Sequence, residues 1–300
     1  MHKLSPRSRI ILSMLIFGTI GVFRRWIPWP SSAVALTRSV IGLLFLLGLR
    51  ALRREPIDRR AVRRNLGKLL LLGAMLGTNW IFLFEAYNYT SVAAATMCYY
   101  MAPVLILLAS PLFGEPLTLR KGLCAAAAVF GMVLVSGVLS GGLHGAKGLL
   151  FGLIAACLYA AIVLLNRTLR DISAGDRTIM QFAACAAVML PYVLLTEDVR
   201  ALPLSPRIVL LLLAVGIVHT GLAYVWYFGG IAGVPAQSAA LLSYLDPVAA
   251  VLLSVTLLHE PMTLPAALGA ALVLGAMAVN ELEPRGRETD CRTGVRTGSQ

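Results

Sequence analysis

Ten apolar stretches, each close to 20 residues long, follow one another along the chain with short polar connections between them. A helix needs about 20 mostly apolar residues to cross a hydrocarbon core that is roughly 30 Å thick. We therefore predict an all-α polytopic membrane protein with ten transmembrane helices. They are placed at residues 10–27, 32–50, 69–88, 92–113, 119–139, 148–166, 177–196, 207–228, 236–258 and 265–282.

The composition agrees with a chain that lies almost wholly in the bilayer. Hydrophobic residues make up 58% and charged residues 13%, with a mean hydropathy of +0.81. A soluble domain has roughly 25% charged residues. Because no connection is long enough to hold a soluble domain, any function must lie inside the helix bundle or at its rims.

The first stretch has a basic start and an apolar run, which is also typical of a secretory signal. No small-x-small cleavage site follows it; the chain continues instead as "RRWIPWP", with Trp26 and Trp29. Tryptophan is enriched at membrane interfaces. We therefore predict a retained helix rather than a cleaved signal.

The basic residues are distributed unevenly between the two sets of connections. Of 26 Lys and Arg, 20 lie in the amino end, the alternate connections and the tail, while five lie in the other connections. Basic residues are retained on the cytoplasmic side, so we predict a protein of the cell membrane with both termini in the cytoplasm. The net charge of +12 then indicates topology rather than nucleic-acid binding, and the segment between Arg50 and Lys68 is expected to contact anionic lipid.

Metal and disulfide chemistry find little support in the sequence. Four cysteines lie in apolar stretches and Cys291 lies in the polar tail, in no pattern typical of a zinc site or a disulfide framework. His259-Glu260 begins an H-E-x-x-H pattern, but its last position is Thr263. We predict no metal and no cofactor.

The two halves of the chain resemble each other when one is shifted by 144 residues. "AATMCYYMAPVLILLASPLFGEPLT" then lies over "SAALLSYLDPVAAVLLSVTLLHEPMT", which matches Tyr100 with Tyr244 and Pro103 with Pro247. Because each copy has five spans, an odd number, the copies must enter the membrane in opposite senses. We predict inverted five-helix repeats at 8–139 and 148–282 around a central cavity, followed by a flexible cytoplasmic tail at 283–300.

Inverted repeats have a mechanical consequence, since each half can adopt the conformation of the other and the assembly opens to either side. This architecture is typical of a transporter. Small residues at helix-contact spacing, Gly73-x-x-x-Gly77 and Gly148-x-x-x-Gly152, predict close helix crossings.

These features together resemble the EamA branch of the drug/metabolite transporter superfamily over residues 8 to 282. They are the five-plus-five duplication, the span ends "LFGEPLT" and "LLHEPMT", an arginine early in the second span, and "HTGLAYVWYF" in the eighth. The resemblance implies export or import of small metabolites, often amino acids or amphiphilic amines, through a cavity between the repeats. The chain departs from it at Asp246, where members usually carry glutamate, and at His259, where a glycine usually precedes the loop glutamate.

Asp246, before Pro247, lies deep in the ninth span at a depth that matches His219 in the eighth. Ionisable residues in the membrane are costly and usually mark a pathway or a partner. We hypothesise that Asp246, modulated by His219, links protonation to transport. In the alternative interpretation, Asp246 only hydrogen-bonds the backbone that Pro247 leaves free.

Further candidates are charged or aromatic. Arg38 and Glu85 either form a buried ion pair that joins two helices, or Glu85 attracts an amine in the cavity. Aromatic rings are expected to line the cavity and contact an apolar or cationic substrate, although packing is their alternative role. They are Tyr99, Trp226 and Tyr159, with Trp80 and Tyr244 as weaker candidates by angle.

The sequence thus predicts a secondary transporter of a small organic metabolite, an amino acid or an amphiphilic amine, that works by alternating access as a monomer or homodimer. Export is favoured over import, and proton coupling and uncoupled facilitation both remain open. The alternative is a membrane-embedded enzyme acting on lipid or an isoprenoid. Ser136, Ser243 and Ser254 lie in apolar spans, but none lies in a G-x-S-x-G motif.

Overall fold

The computed structural model describes residues 4–109, 111, 118–135, 145–231, 233–234, 239 and 242–281. Several predicted features fall partly or wholly outside these residues: the "LFGEPL" part of "LFGEPLT", Ser136, the tail at 283–300, and parts of the fourth, fifth, ninth and tenth spans.

All regular structure in the described residues is helical, without a strand. The α-helices are α1 (Pro6–Gly18), α2 (Ile20–Trp26), α3 (Ser31–Arg53), α4 (Arg59–Tyr89), α5 (Val92–Tyr99), α6 (Ala102–Ala109), α7 (Leu119–Val135), α8 (Ala146–Asn166), α9 (Ala174–Thr196), α10 (Pro206–Leu213), α11 (Ala223–Ile231), α12 (Leu245–Thr256) and α13 (Leu264–Glu281). A short 3-10 turn covers Val199–Ala201, and a π-helical segment, Ala214–Leu222, joins α10 to α11.

Seven helical segments in the described residues are long and apolar enough to cross a membrane. They are Pro6–Trp26, Ser31–Arg53, Arg59–Tyr89, Val92–Ala109, Ala146–Asn166, Ala174–Thr196 and Pro206–Ile231. Helices α7, α12 and α13 fall on the other three predicted spans but are shorter in their described parts. The chain is therefore an all-helical polytopic membrane protein, and the count of ten spans stays a prediction.

Two helix breaks occur at the tyrosines that the repeat matches. Helix α5 ends at Tyr99 with Tyr100 as its cap, and α12 begins directly after Tyr244. Pro103 and Pro247 follow within the first turns of α6 and α12. Proline is tolerated there because the first-turn N–H groups have no intrahelical acceptor. The breaks turn these tyrosines and Asp246 toward the middle of the bundle.

The helices pack in a small number of extensive pairs. Helix α4 contacts α8 and α9, α1 contacts α11 and α12, α3 contacts α9 and the π-helical segment, and α7 contacts α13. The largest buried cluster gathers around Phe84 and Phe182, and a second one joins α7 and α13 to α5, α6 and α8. The helices that surround the centre are α1 to α6, α8, α11 and α12.

Glycines lie at the closest of these crossings. A Cβ added at Gly73 of α4 meets the Gln181 carbonyl oxygen of α9 at 2.7 Å, and one added at Gly152 of α8 meets the Cβ of Cys98 at 2.7 Å. These are the crossings that the glycine spacing predicts, because only a residue without a side chain lets the backbones approach so far.

We expect Gly73→Leu to destabilise the protein, because the new side chain must displace backbone of α9. Overpacking of this kind costs about 1–3 kcal/mol. Thermal unfolding of the detergent-solubilised chain measures the effect as a lowered Tm. The matched control is Gly67→Leu on the same helix, where an added Cβ meets no atom within 4 Å; if both variants unfold at the same temperature, the α4–α9 crossing is not tight.

Candidate functional site

A cavity of about 300 Å³ lies where α1 to α6, α8, α11 and the start of α12 meet. Six of the nine residues predicted for the site line it: Arg38, Trp80, Tyr99, Tyr159, Tyr244 and Asp246. Pockets for small organic ligands begin at about this volume. The three other predicted residues, Glu85, His219 and Trp226, are not part of its lining.

Asp246 is the acidic residue in this lining, and it has one direct partner there. Its Oδ2 accepts a hydrogen bond of 2.6 Å from the Tyr100 hydroxyl. Asp246 is also the second residue of α12, and the partial positive charge of a helix N-terminus favours a carboxylate. The side chain therefore faces the cavity and accepts a hydrogen bond from Tyr100 at the end of α5. The alternative interpretation instead expects a hydrogen bond to the backbone near Pro247.

Arg38 enters the cavity from α3 and is 6% exposed. Its Nε donates to Thr220 Oγ1 at 2.7 Å, and its guanidinium carbon lies 4.2 Å from the centre of the Trp80 ring. The ion pair considered for Arg38 does not form: the salt bridges of the described residues do not include it, and Glu85 accepts from Asn88 at 3.3 Å. The guanidinium stacks on Trp80 instead, away from Glu85.

His219 is buried beside the cavity rather than in its wall. One ring nitrogen lies 2.7 Å from Thr19 Oγ1 and the other 3.2 Å from the Ala214 carbonyl oxygen, while the Phe23 ring contacts its edge. Both nitrogens of the imidazole are therefore engaged away from Asp246. Modulation of Asp246 by His219 remains a prediction, without a hydrogen bond between the two.

Trp226 lies outside the cavity lining, and a π-helical segment precedes it. In this segment Thr220 Oγ1 bonds the carbonyl of Val215, five residues earlier. A π-helical turn holds more residues than an α-helical turn. The seven-residue spacing from His219 to Trp226 therefore does not place the two side chains on one face, as it would in an α-helix. Trp226 is half-buried, and Tyr224 and Tyr227 line the cavity in its place.

Aromatic rings form most of the cavity wall. Tyr99 contacts Tyr159 with ring centres 5.3 Å apart, and Phe17 contacts Tyr224 at 5.4 Å. Seven tyrosines line the cavity, four of which sequence reasoning did not select: Tyr87, Tyr100, Tyr224 and Tyr227. The repeat matches Tyr100 with Tyr244, and this match is the sequence signal that could have identified Tyr100 as the partner of Asp246.

A second cavity, also about 300 Å³, adjoins the first and shares Tyr224 with it. Arg50, Arg53 and Glu55 lie in its lining. Arg50 is held there by an ion pair of 2.6 Å with Asp176. The Tyr224 ring therefore separates the central cavity from a charged space at the end of α3.

A charged cluster, here called the Glu260 cluster, lies at the Thr90 end of α4, opposite the end that faces the second cavity. Glu260 accepts from Arg25 Nη2 at 2.8 Å, from the backbone N–H of Val92 at 2.7 Å and from the Ser254 hydroxyl. Arg25 also donates to the Thr90 carbonyl at 2.8 Å. The carboxylate thereby caps the N-terminus of α5 and joins it to α2 and α12.

His259, which precedes this glutamate, has a φ of 53°. Glycine adopts this left-handed conformation without a steric penalty, whereas a residue with a Cβ adopts it at a steric cost. The turn that precedes Glu260 therefore favours a glycine, and this chain forms it with histidine.

Comparison with known proteins identifies the family. The EamA-like transporter family matches the chain over residues 8–137 and again over 146–281. The chain belongs to the EamA-like transporter family. It is thus a transmembrane transporter and not an enzyme, which removes the support for a membrane-embedded enzyme.

Curated relatives of this EamA-like chain carry transporter names. The uncharacterized transporter YxxF of Bacillus subtilis is 26% identical over 93% of this chain and 90% of its own length. An uncharacterized transporter of Archaeoglobus fulgidus is 27% identical over 90% and 94%. A probable biotin transporter of Pseudomonas aeruginosa is 27% identical over 83% of this chain and 87% of its own.

One solved crystal structure has a similar fold. It superposes with a TM-score of 0.66 and covers 92% of this chain and 98% of the solved chain, at 22% identity. At this identity the likeness concerns the fold alone.

Proposed function

We propose that this EamA-like protein is a secondary transporter that exports a small organic metabolite by alternating access. The observation that carries the proposal is the central cavity, which lies between helices from both halves of the chain. Its described lining holds the Asp246 carboxylate, the Arg38 guanidinium and seven tyrosines. Ionisable groups at this depth are costly in a membrane. A cavity for a polar solute gives them a role that packing alone does not.

Two inverted repeats are the proposed basis of the movement. The family matches two successive segments of the chain. The helix contacts also correspond under the 144-residue shift: α1 contacts α11 and α12, and its counterpart α8 contacts α4 and the α5–α6 pair. Helices α3 and α9, and likewise α7 and α13, are counterparts that contact each other. This correspondence supports a two-fold arrangement of five spans each.

The two ends of the cavity differ, and we assign them to the two faces of the membrane. The Glu260 cluster joins α2, α5 and α12 at one end. At the other end, the second cavity lies beside the basic segment that begins at Arg50, which the charge distribution places in the cytoplasm together with both termini. The structure then corresponds to a state closed outside, with Tyr224 between the solute site and the cytoplasm.

The proposed solute is an amino acid or an amphiphilic amine. Tyrosine faces attract cations as well as apolar groups, and Asp246 supplies a carboxylate for an amine. The name of the Pseudomonas aeruginosa relative, a probable biotin transporter, agrees with a small organic metabolite as cargo. Proton coupling through Asp246 is part of the proposal, and uncoupled facilitation is its rival.

The remaining parts of the proposal concern the surroundings of the protein. It resides in the cell membrane as a monomer or homodimer. Several arginines between Arg50 and Lys68 are exposed, and we expect them to contact anionic lipid headgroups.

Uptake into proteoliposomes tests this function. Purified full-length protein is reconstituted and screened with amino acids, amines and cationic dyes, with and without a pH gradient, against protein-free vesicles. Saturable uptake of any of these solutes supports the proposal, and its dependence on the gradient decides between coupling and facilitation. Absence of saturable uptake across the panel contradicts the proposed cargo class.

A further inference from the structure

Arg38 has hydrogen-bonding groups that the protein does not use. Among the described residues its Nε donates to Thr220, and its two terminal nitrogens have no hydrogen-bond partner. The two nitrogens are not among the buried polar atoms that lack a partner and are fully shielded from solvent. Arg38 also lines the central cavity. The two nitrogens therefore face the open space of the cavity.

Within the part of the chain that the structure describes, the positive charge of Arg38 also has no counter-charge in direct contact. Asp246 accepts from Tyr100, Glu85 accepts from Asn88, and the salt bridges of the described residues involve Arg25, Arg50 and Arg64 instead. Removing a charge from water costs several kcal/mol even after relaxation. Stacking on Trp80 offsets only part of this cost, and an anion in the cavity would offset more of it.

The position of the guanidinium is fixed before any ligand arrives. Thr220 holds Nε at 2.7 Å, and Trp80 lies beneath the plane at 4.2 Å. Thr220 is itself packed against Gly42 of α3, the helix that carries Arg38, and a Cβ added at Gly42 meets the Thr220 Cγ2 at 2.5 Å. With Nε occupied, the two terminal N–H groups form a planar fork that matches the two oxygens of a carboxylate.

We propose that Arg38 binds a carboxylate of the transported solute, with the rest of the solute lying between the tyrosines and any amine reaching Asp246. The inference rests on the proposed function and narrows its cargo from amines in general to solutes that carry a carboxylate. The two opposite charges in one cavity fit a small zwitterion with an apolar or aromatic body.

Three probes that share a phenyl ring and a short chain test the assignment. They are 3-phenylpropionate, which has only the carboxylate, 2-phenylethylamine, which has only the amine, and L-phenylalanine, which has both. Binding to the solubilised full chain is measured by isothermal titration, in the unsubstituted protein and in Arg38→Lys and Arg38→Gln. Arg38→Lys keeps the positive charge but loses the planar pair of N–H donors. It replaces Arg38→Gln in the test if Arg38→Gln does not fold. The control is Arg53→Gln, at an arginine that lines the second cavity.

We expect both carboxylates to bind the unsubstituted protein, with an affinity at least about tenfold lower in Arg38→Gln and reduced in Arg38→Lys. Arg53→Gln should leave their binding unchanged, and 2-phenylethylamine should not lose affinity in Arg38→Gln. Absent carboxylate binding, or carboxylate affinity that both Arg38 variants retain, overturns the inference. If amines are taken up equally well with and without a carboxylate, the role of Arg38 is overturned while the proposed transport stands. If carboxylates bind through Arg38 but no solute is taken up, the role of Arg38 stands and the proposed transport is contradicted.

Discussion

Asp246→Asn is expected to abolish the stimulation of uptake by a pH gradient. Asparagine keeps the size of the side chain but cannot take up or release a proton in the working range. It also loses the charged acceptor of the Tyr100 bond, a kind of hydrogen bond worth about 1.5–3 kcal/mol, which corresponds to roughly tenfold or more in a rate or affinity. Initial uptake rates in proteoliposomes, with and without the gradient, measure the effect.

Tyr100→Phe is the companion variant, because it removes the hydroxyl and leaves the carboxylate in place. We expect it to weaken transport while some stimulation by the gradient remains. If Asp246→Asn responds to the gradient as the unsubstituted protein does, then Asp246 has no coupling role and serves the packing of α12.

Glu260→Ala is expected to open the cavity toward the outside. The substitution removes the acceptor for Arg25, for the Val92 N–H and for Ser254 together. Glu260 is 14% exposed and Arg25 33%, so solvent screening reduces the worth of the ion pair. A loss of about 2 kcal/mol in the closed state shifts the balance between the two states roughly 30-fold.

A cysteine introduced at Ser243, which lines the central cavity, reports this shift in a cysteine-free background. In right-side-out vesicles, a membrane-impermeant thiol reagent should modify it about tenfold or more faster when Glu260→Ala is present. The control is Asp198→Ala, which removes a carboxylate that caps a local turn through Arg200. Equal labelling rates in the two variants would show that the Glu260 cluster does not close the cavity.

The helices and much of the cavity could be predicted because both follow from apolar periodicity and from a repeat that the sequence carries openly. Asp246, Tyr99 and Tyr159 were placed in one cavity on that basis, and they line it. The matched tyrosines fall at helix breaks for a local reason, the prolines three residues later. These features depend on short stretches of chain, so a single sequence is enough to find them.

The errors came from features that sequence spacing does not encode. The π-helical segment Ala214–Leu222 changes the helical spacing between His219 and the residues that follow. Trp226 lies outside the cavity lining, whereas Tyr224 and Tyr227 belong to it. Several side chains lie within reach of the Arg38 guanidinium, and the sequence does not show which of them it contacts. In the structure it stacks on Trp80. Long-range contacts such as Arg25 with Glu260 join residues far apart in the chain, and no local pattern indicates them.

The opposite orientation of the two repeats is the claim on which the transport mechanism depends. It is tested most directly by single cysteines at Thr118 and Thr263, in a cysteine-free chain in sealed vesicles. These positions follow the two Glu-Pro turns and match when the second copy is given one extra residue. Cysteines at Arg60 and Arg200 mark the predicted cytoplasmic and outer faces. We expect an impermeant thiol reagent to label position 263 together with 200 from outside, and position 118 together with 60 only after the membrane is opened. Labelling of 118 and 263 from the same side would contradict inverted repeats and the alternating access built on them.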